Sequence, residues 1–154
     1  MRKEYIYVEH QGEKIKTFER PELYDGKRLA ETIKKIKLSG EATFSWLNFE
    51  THEYEKKKLT EKDYLIVEGF LLFCYPEIVE EIDYKFYLDL PGEVVIERRK
   101  KRLRHKSSDE TFFKIGMQEY EKFGLRQKDV KGINVIDGLK SVDEICEEIL
   151  GKVS

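Results

Sequence analysis

The spacing of apolar residues along the chain switches repeatedly between the period of a strand and that of a helix. EYIYVEH (residues 4–10) reads as a strand, Gln11-Gly12 as a turn, and KIKTF as a second short strand. Tyr5 to Val8 are four consecutive apolar or aromatic residues, unlike the alternation of a half-exposed strand. YDGKRLAETIKKIKLSG predicts a helix, with Asp25 as its cap, Leu29, Ile33 and Ile36 on one face, and Gly40 to end it. TFSWLNF (residues 43–49) is strand-like. Residues 63–68 are almost continuously apolar, the pattern of a strand in a sheet covered on both faces. Pro76 can open a short helix, and YKFYLDL (residues 84–90) predicts another strand, broken by Pro91. Residues 93–105 read as a strongly basic helix. SSDETFFKIGMQEYEKFG predicts a helix with Ser107 and Glu110 as a capping box and Gly124 at its end. INVID forms a last strand, and SVDEICEEILG a last helix with Ser141 and Glu144 as its box. Strands alternating with helices predict an α/β fold with a mostly parallel sheet.

The 154 residues have the length of one domain, taken as 1–154. At 40% hydrophobic the chain can build a core, and at 39% charged it exceeds the usual quarter. The charges nearly cancel, at a net −2, so no global field draws the protein to nucleic acid or a membrane. No apolar run approaches the roughly 20 residues of a membrane span, and the N-terminal tract is too polar for a signal peptide. Cys74 and Cys146 are too few for a disulfide framework or a metal cluster and read as buried free thiols in a reducing cytoplasm.

Two features carry chemistry. Glu68 closes the apolar strand immediately before Gly69. Ligands of open parallel sheets bind beyond the carboxyl ends of the strands, where an acid can hold Mg²⁺ against a nucleotide's phosphates, directly or through water. The plain alternative is a surface acid at a strand end. The second feature is the run Arg98, Arg99, Lys100, Lys101, Arg102, Arg104, His105 and Lys106, in which Arg98 and Arg102 share a helix face. Guanidinium groups suit the charge that develops on a transferred phosphoryl group. The alternatives are a solvated basic helix and, third, contact with RNA or DNA. Glu19 and His52 are unremarkable by themselves.

Together these pieces resemble the uridine kinase and nicotinamide riboside kinase family of P-loop phosphotransferases. LIVEGFLLF is similar to that family's strand-plus-acid segment. DLPGEVVIERRKKR is similar to its strand, proline and arginine-bearing lid helix. TFERPELYD, LNFETH and NVIDGLKSVDEICEEIL match further segments in collinear order, about residues 17–150. The resemblance implies a three-layer fold and transfer of the ATP γ-phosphoryl group to a ribosyl 5′-hydroxyl. It places Glu68 near Mg²⁺ and phosphate, and Arg98, Arg99 and Arg102 in the lid. It gives Glu19 the ribose hydroxyls and His52 the base of a nucleoside or nucleotide substrate. Leu47 and Asn48 depart from the family, where an aromatic residue and an Asp stand.

The larger departure is the phosphate-binding loop. Neither Gly26-Lys27-Arg28 nor Gly151-Lys152-Val153 is followed by Ser or Thr, and neither has a glycine five positions earlier, so the sequence has no Gly-x-x-x-x-Gly-Lys-[Ser/Thr]. Three readings stay open. The chain is a fragment, or one piece of a split kinase completed by a second chain that supplies the loop or by a homo-oligomer. It is a family member that binds a nucleotide-like ligand or a protein partner without catalysis. Or another loop, around Gln11-Gly12, holds the phosphates. The family's loop strand is central to its sheet, and a vacant slot leaves backbone groups unpaired. Residues 5–8 are therefore expected to enter the main sheet, beside the 63–68 strand or the 84–90 strand.

Overall fold

The computed structural model describes residues 6–48, 51, 53–60, 62–102 and 112–153. Six strands are present among them. β1 (Ile6–His10) and β2 (Glu13–Thr17) form an antiparallel hairpin. Gln11 and Gly12 turn it with φ of 51° and 79°, the left-handed region that the sequence signal predicts. β3 (Glu41–Leu47) and β4 (Tyr54–Thr60) form a second antiparallel hairpin. β5 (Lys85–Asp89) and β6 (Ile133–Asp137) pair in parallel. These are three separate two-stranded ladders. Helices mixed with sheet pieces, one of them parallel, fit the expected α/β class.

Helix α1 (Gly26–Ser39) is built as its sequence predicts. Asp25 Oδ1 accepts the Arg28 N–H at 3.0 Å. Gly40, at φ 72°, donates its N–H to Ile36 O at 2.8 Å. Ala30, Ile33 and Ile36 are buried, whereas Leu29 sits at the margin of the buried stripe. Pro76 opens α2 (Pro76–Glu81). Ala30 and Ile33 of α1 pack with Leu72 and Ile78 to form the core, with Val67, Phe73, Tyr75 and Ile82 against it. Helix α3 (Gly92–Arg102) follows β5. A continuous helical run then covers residues 112–129, with α4 (Met117–Glu119) between π-helical turns and a 3₁₀ turn at its end. The helix expected to stop at Gly124 thus continues to Asp129, while its Ser107–Glu110 box lies outside the described residues. In α5 (Val142–Val153) the second box forms: Ser141 N–H donates to Glu144 Oε2 at 2.8 Å and Glu144 N–H to Ser141 Oγ at 3.3 Å.

Three expectations are corrected. Residues 63–68 do not form a buried strand. They belong to no ladder, and Tyr64 and Ile66 are 60% and 88% exposed. An apolar pattern records what a segment is suited to be covered by, and here nothing among the described residues covers it. Residues 6–8 do not enter a central sheet either. They alternate in exposure within the hairpin, Tyr7 facing solvent, because β2 supplies a nearer antiparallel partner. Tyr5 lies outside the described residues. Third, the two thiols are not both buried.

Cys74 is half-buried, donates weakly to Phe123 O, and burial pushes its thiol up; Cys146 is exposed on α5. Since the thiolate is the nucleophile, a disulfide reagent at mildly alkaline pH is expected to modify Cys146 in a fast phase and Cys74 much more slowly. Denaturant should merge the phases. Equal rates in the native protein would contradict the packing around Cys74.

Candidate functional site

Two open clefts lie near the candidate segments, and neither is lined by Glu19, Glu68, Arg98, Arg99 or Arg102. The first, about 490 Å³, lies at the carboxyl ends of β5 and β6, where a parallel sheet presents its ligand-binding edge. Asp89 and Asp137 are register partners there. Lys128 Nζ donates to both Asp89 oxygens at 3.0 Å. Asp137 Oδ1 accepts the Leu139 N–H at 2.8 Å and shapes the turn after β6. Gly138 is buried in that turn. A Cβ at this position would lie 2.9 Å from Asp89 O and 2.8 Å from Leu90, so only glycine fits. Arg98 of α3 donates from Nη2 to Gly138 O at 3.1 Å. Part of its guanidinium is thus committed to the protein rather than held ready for an anion.

The second cleft, about 410 Å³, opens at the start of α1 and is edged by Glu22, Asp25, Lys27 and Tyr75. Two aromatic residues organise it. Tyr75 donates its hydroxyl to Pro21 O at 2.7 Å, and burial pushes its phenol up to about 12, so it stays a donor well into alkaline pH. Its ring lies against Gly26, where a Cβ would come within 2.2 Å. Tyr24 donates to Phe18 O at 2.7 Å and meets the Phe70 ring edge-to-face, centroids 6.0 Å apart.

These contacts join the segment carrying Glu19 to the segment carrying Glu68. The Glu19 N–H donates to Oγ1 of Thr17, which is fully buried. Glu68 is exposed, two residues before Phe70, and lines neither cleft. Arg99 is half-buried and Arg102 exposed on α3. The structure therefore draws the Glu19 and Glu68 segments together. It sets Arg98 on the turn after β6, bonded to Gly138 O and lining neither cleft. His52 lies outside the described residues.

Three further residues hold this arrangement, and all sit on the 112–129 run. Glu119, 4% exposed, accepts from Arg20 with both oxygens, Nη2–Oε1 at 3.1 Å and Nε–Oε2 shorter still. That bonded carboxylate pushes the Arg20 guanidinium up. Gln127, 3% exposed, accepts the Phe73 N–H on Oε1 and donates from Nε2 to Phe70 O, both at 2.8 Å. Lys128 holds Asp89. One run thus braces the Glu19 segment, the turn after Glu68, and the end of β5. In sequence these three are ordinary polar positions of a helix, and only their partners, roughly 40 to 100 residues away, reveal the role.

Among the described residues no three His, Cys, Asp or Glu side chains cluster as a metal site. A lone carboxylate such as Glu68 suits Mg²⁺ only where waters and substrate phosphates complete the coordination. No helix among them is long and apolar enough to cross a membrane.

The chain is similar to known proteins across most of its length. The model of the Phosphoribulokinase / Uridine kinase family matches residues 3–136. A uridine kinase of Borreliella burgdorferi (strain ZS7) is 27% identical over 96 residues, 61% of this chain and 46% of that protein. A uridine kinase of Clostridium botulinum (strain 657 / Type Ba4) is 29% identical over 86 residues, 54% of this chain and 42% of that protein. The mouse uridine-cytidine kinase-like 1 is 28% identical over 87 residues, covering 55% of this chain and 16% of that protein. The matched stretch spans less than half the length of each relative.

Proposed function

Because the chain belongs to the Phosphoribulokinase / Uridine kinase family, we propose that it is a nucleoside-kinase-like phosphotransferase domain acting on a ribosyl 5′-hydroxyl, of the uridine or nicotinamide riboside type, with ATP as donor. The observation that carries the reading is the junction of the Glu19 and Glu68 segments through Tyr24 and Phe70. It supports a site in which a ribose-holding acid and a metal-side acid share one wall. Glu19 accepts from the ribose hydroxyls, and His52 meets the base. Glu68 would hold Mg²⁺, directly or through water. When bound, Mg²⁺ neutralises charge on the phosphates. Arg98, Arg99 and Arg102 close over the phosphoryl group from α3. The domain is a single unit over residues 1–154, a three-layer α/β arrangement working in the cytoplasm.

A second reading has its own support. The sequence contains no Gly-x-x-x-x-Gly-Lys-[Ser/Thr], and the apolar residues 64–66 stand exposed. Both observations favour a chain that binds a nucleotide-like ligand without turnover, or one completed by a phosphate-binding loop outside residues 1–154. Phosphoryl transfer is mostly positioning and electrostatics, so turnover depends on that loop.

Calorimetric titration with ATP, with and without Mg²⁺, tests the site in either case. The native chain is expected to bind more tightly with Mg²⁺, and Glu68→Gln to lose about tenfold of that affinity, the scale of one charge-assisted interaction. Arg98→Ala combined with Arg102→Ala should weaken the triphosphate far more than the nucleoside. Equal binding by native and Glu68→Gln chains removes Glu68 from the site. Micromolar binding of duplex DNA with steep salt dependence instead makes α3 a nucleic-acid surface.

A further inference from the structure

Glu119 and Gln127 are buried polar side chains on one helical run, and each closes on a segment that carries a candidate acid. Ile115, 1% exposed, anchors the same run in the interior. The run winds wider than an α-helix over Phe112–Gly116 and again over Tyr120–Gly124, a departure that recurs at functional sites. Glu19 is held from both sides. Its own N–H donates to Thr17 Oγ1 at 3.1 Å, and its neighbour Arg20 is gripped by both Glu119 oxygens. Two parallel bonds fix a guanidinium in place and in rotation. At the other acid, Gln127 accepts the Phe73 N–H and donates to Phe70 O. The Leu72 N–H returns to Gly69 O at 3.3 Å. The turn that begins directly after Glu68 is thus closed by its own backbone and pinned by one side chain.

Apolar packing of similar volume often stabilises a fold as well as a buried ion pair does, or better. What it lacks is direction. Bonds that fix orientation beside two acids, from one element, serve placement as well as stability. From these bonds we infer that Glu119 and Gln127 are positioning residues. Glu119, through Arg20, sets Glu19 for the ribose hydroxyls. Gln127, through the turn at Phe70–Phe73, sets Glu68 for Mg²⁺. Both act through another residue, as the partners that orient a metal's ligands do. Resting on the phosphotransfer reading, this makes the 112–129 run the element that spaces the ribose-side acid from the metal-side acid. It also assigns the two braces separate duties: one governs the nucleoside, the other the metal.

Calorimetry tests those duties apart, with uridine and nicotinamide riboside as nucleoside probes and ATP with and without Mg²⁺ as the metal probe. Glu119→Ala is expected to weaken the nucleoside that the native chain binds by about tenfold, the scale of one charge-assisted hydrogen bond. It should change the Mg²⁺ enhancement of ATP binding far less. Gln127→Leu should do the reverse, losing about tenfold of the Mg²⁺ enhancement, the lower end of the range for a metal ligand's orienting partner. Adding Arg20→Ala to Glu119→Ala removes the stranded charge but leaves nothing to hold Glu19, so nucleoside affinity should stay low while stability partly recovers. Thermal melts fix a temperature at which each variant is folded. Where Glu119→Ala does not fold, Glu119→Gln keeps the shape and one acceptor oxygen and should show the same split. Losses that move in step for nucleoside and metal, as a purely structural role requires, overturn the inference. So does a nucleoside affinity unmoved at position 119, or an Mg²⁺ enhancement unmoved at position 127. A native chain that binds no nucleoside, or binds ATP no better with Mg²⁺, overturns the phosphotransfer reading and this inference with it. A native chain that does both, with variants that match it, overturns this inference alone.

Discussion

Replacing Gln127 with leucine is expected to lower the melting temperature by roughly 10 °C. Gln127 lies 3% exposed on the 112–129 run, and its amide meets the Phe73 N–H and the Phe70 carbonyl, each at 2.8 Å. A third contact, Nε2 to Gly124 O at 3.3 Å, orients it within its own turn. Leucine keeps the bulk but strands a backbone donor and a backbone acceptor in a partly buried turn. Leaving a buried polar group unsatisfied costs about 1–3 kcal/mol. Two such groups amount to about 3 kcal/mol after partial relaxation, and for a chain of this size each kcal/mol moves the midpoint by about 2–4 °C. The change should loosen the turn after Glu68 before it loosens anything else. Circular dichroism melts give the size of the effect, and hydrogen exchange at Phe73 gives its place. A shift of under about 2 °C, below the cost of a single stranded group, would mean the turn holds without the side chain.

Glu119→Ala is expected to destabilise the protein by about 2–3 kcal/mol, somewhat below the range for severing a fully buried pair because Arg20 keeps some access to water. The carboxylate is 4% exposed and accepts two bonds from the one guanidinium. Alanine leaves that charge over the Phe123 ring, 5.9 Å from its centroid, with Glu22 as the remaining carboxylate acting on it. A cycle with Arg20→Ala isolates the coupling by urea denaturation. The double variant should lose less than the sum of the singles, because the second substitution removes the stranded charge. Additive losses would show that the two residues act on stability independently. The loss should also survive added salt, as a half-buried bidentate pair is poorly screened.

What sequence revealed and what it hid divide by the range of the cause. The ends of α1 were legible because Asp25 and Gly40 act on backbone groups a few residues away. The Ser141–Glu144 box and the strands β5 and β6 were legible for the same reason. β4 was missed. Its run of Lys56, Lys57 and Lys58 lacks the β-branched residues that signal a strand, and its ladder depends on β3 rather than on its own side chains. The segment at 63–68 misled in the opposite way, since its pattern describes a covered strand whatever lies beside it. Of the candidate site, the Glu19 and Glu68 segments were recognisable as pieces. Their junction through Tyr24 and Phe70, and the brace of Glu119, Gln127 and Lys128, arise from pairings across tens of residues that no local pattern encodes. Arg98 was readable as a cation, but its bond to the Gly138 carbonyl was not.

The separation of the six strands into three ladders bears on how the molecule opens. A shared sheet spreads any disturbance, because each inner strand is bonded on both sides. Among the described residues no strand bridges two ladders, so each ladder can fray and re-form without breaking a ladder bond of another. Local openings then draw on the free energy of a single ladder rather than on that of the whole fold. The β3–β4 hairpin, with every residue of β4 exposed, sits at the low end of that scale. The parallel pair, with Ile136 fully buried in it, sits at the high end. The protein's resistance to unfolding is therefore graded along the chain, and its most persistent part is the floor of the cleft between Asp89 and Asp137.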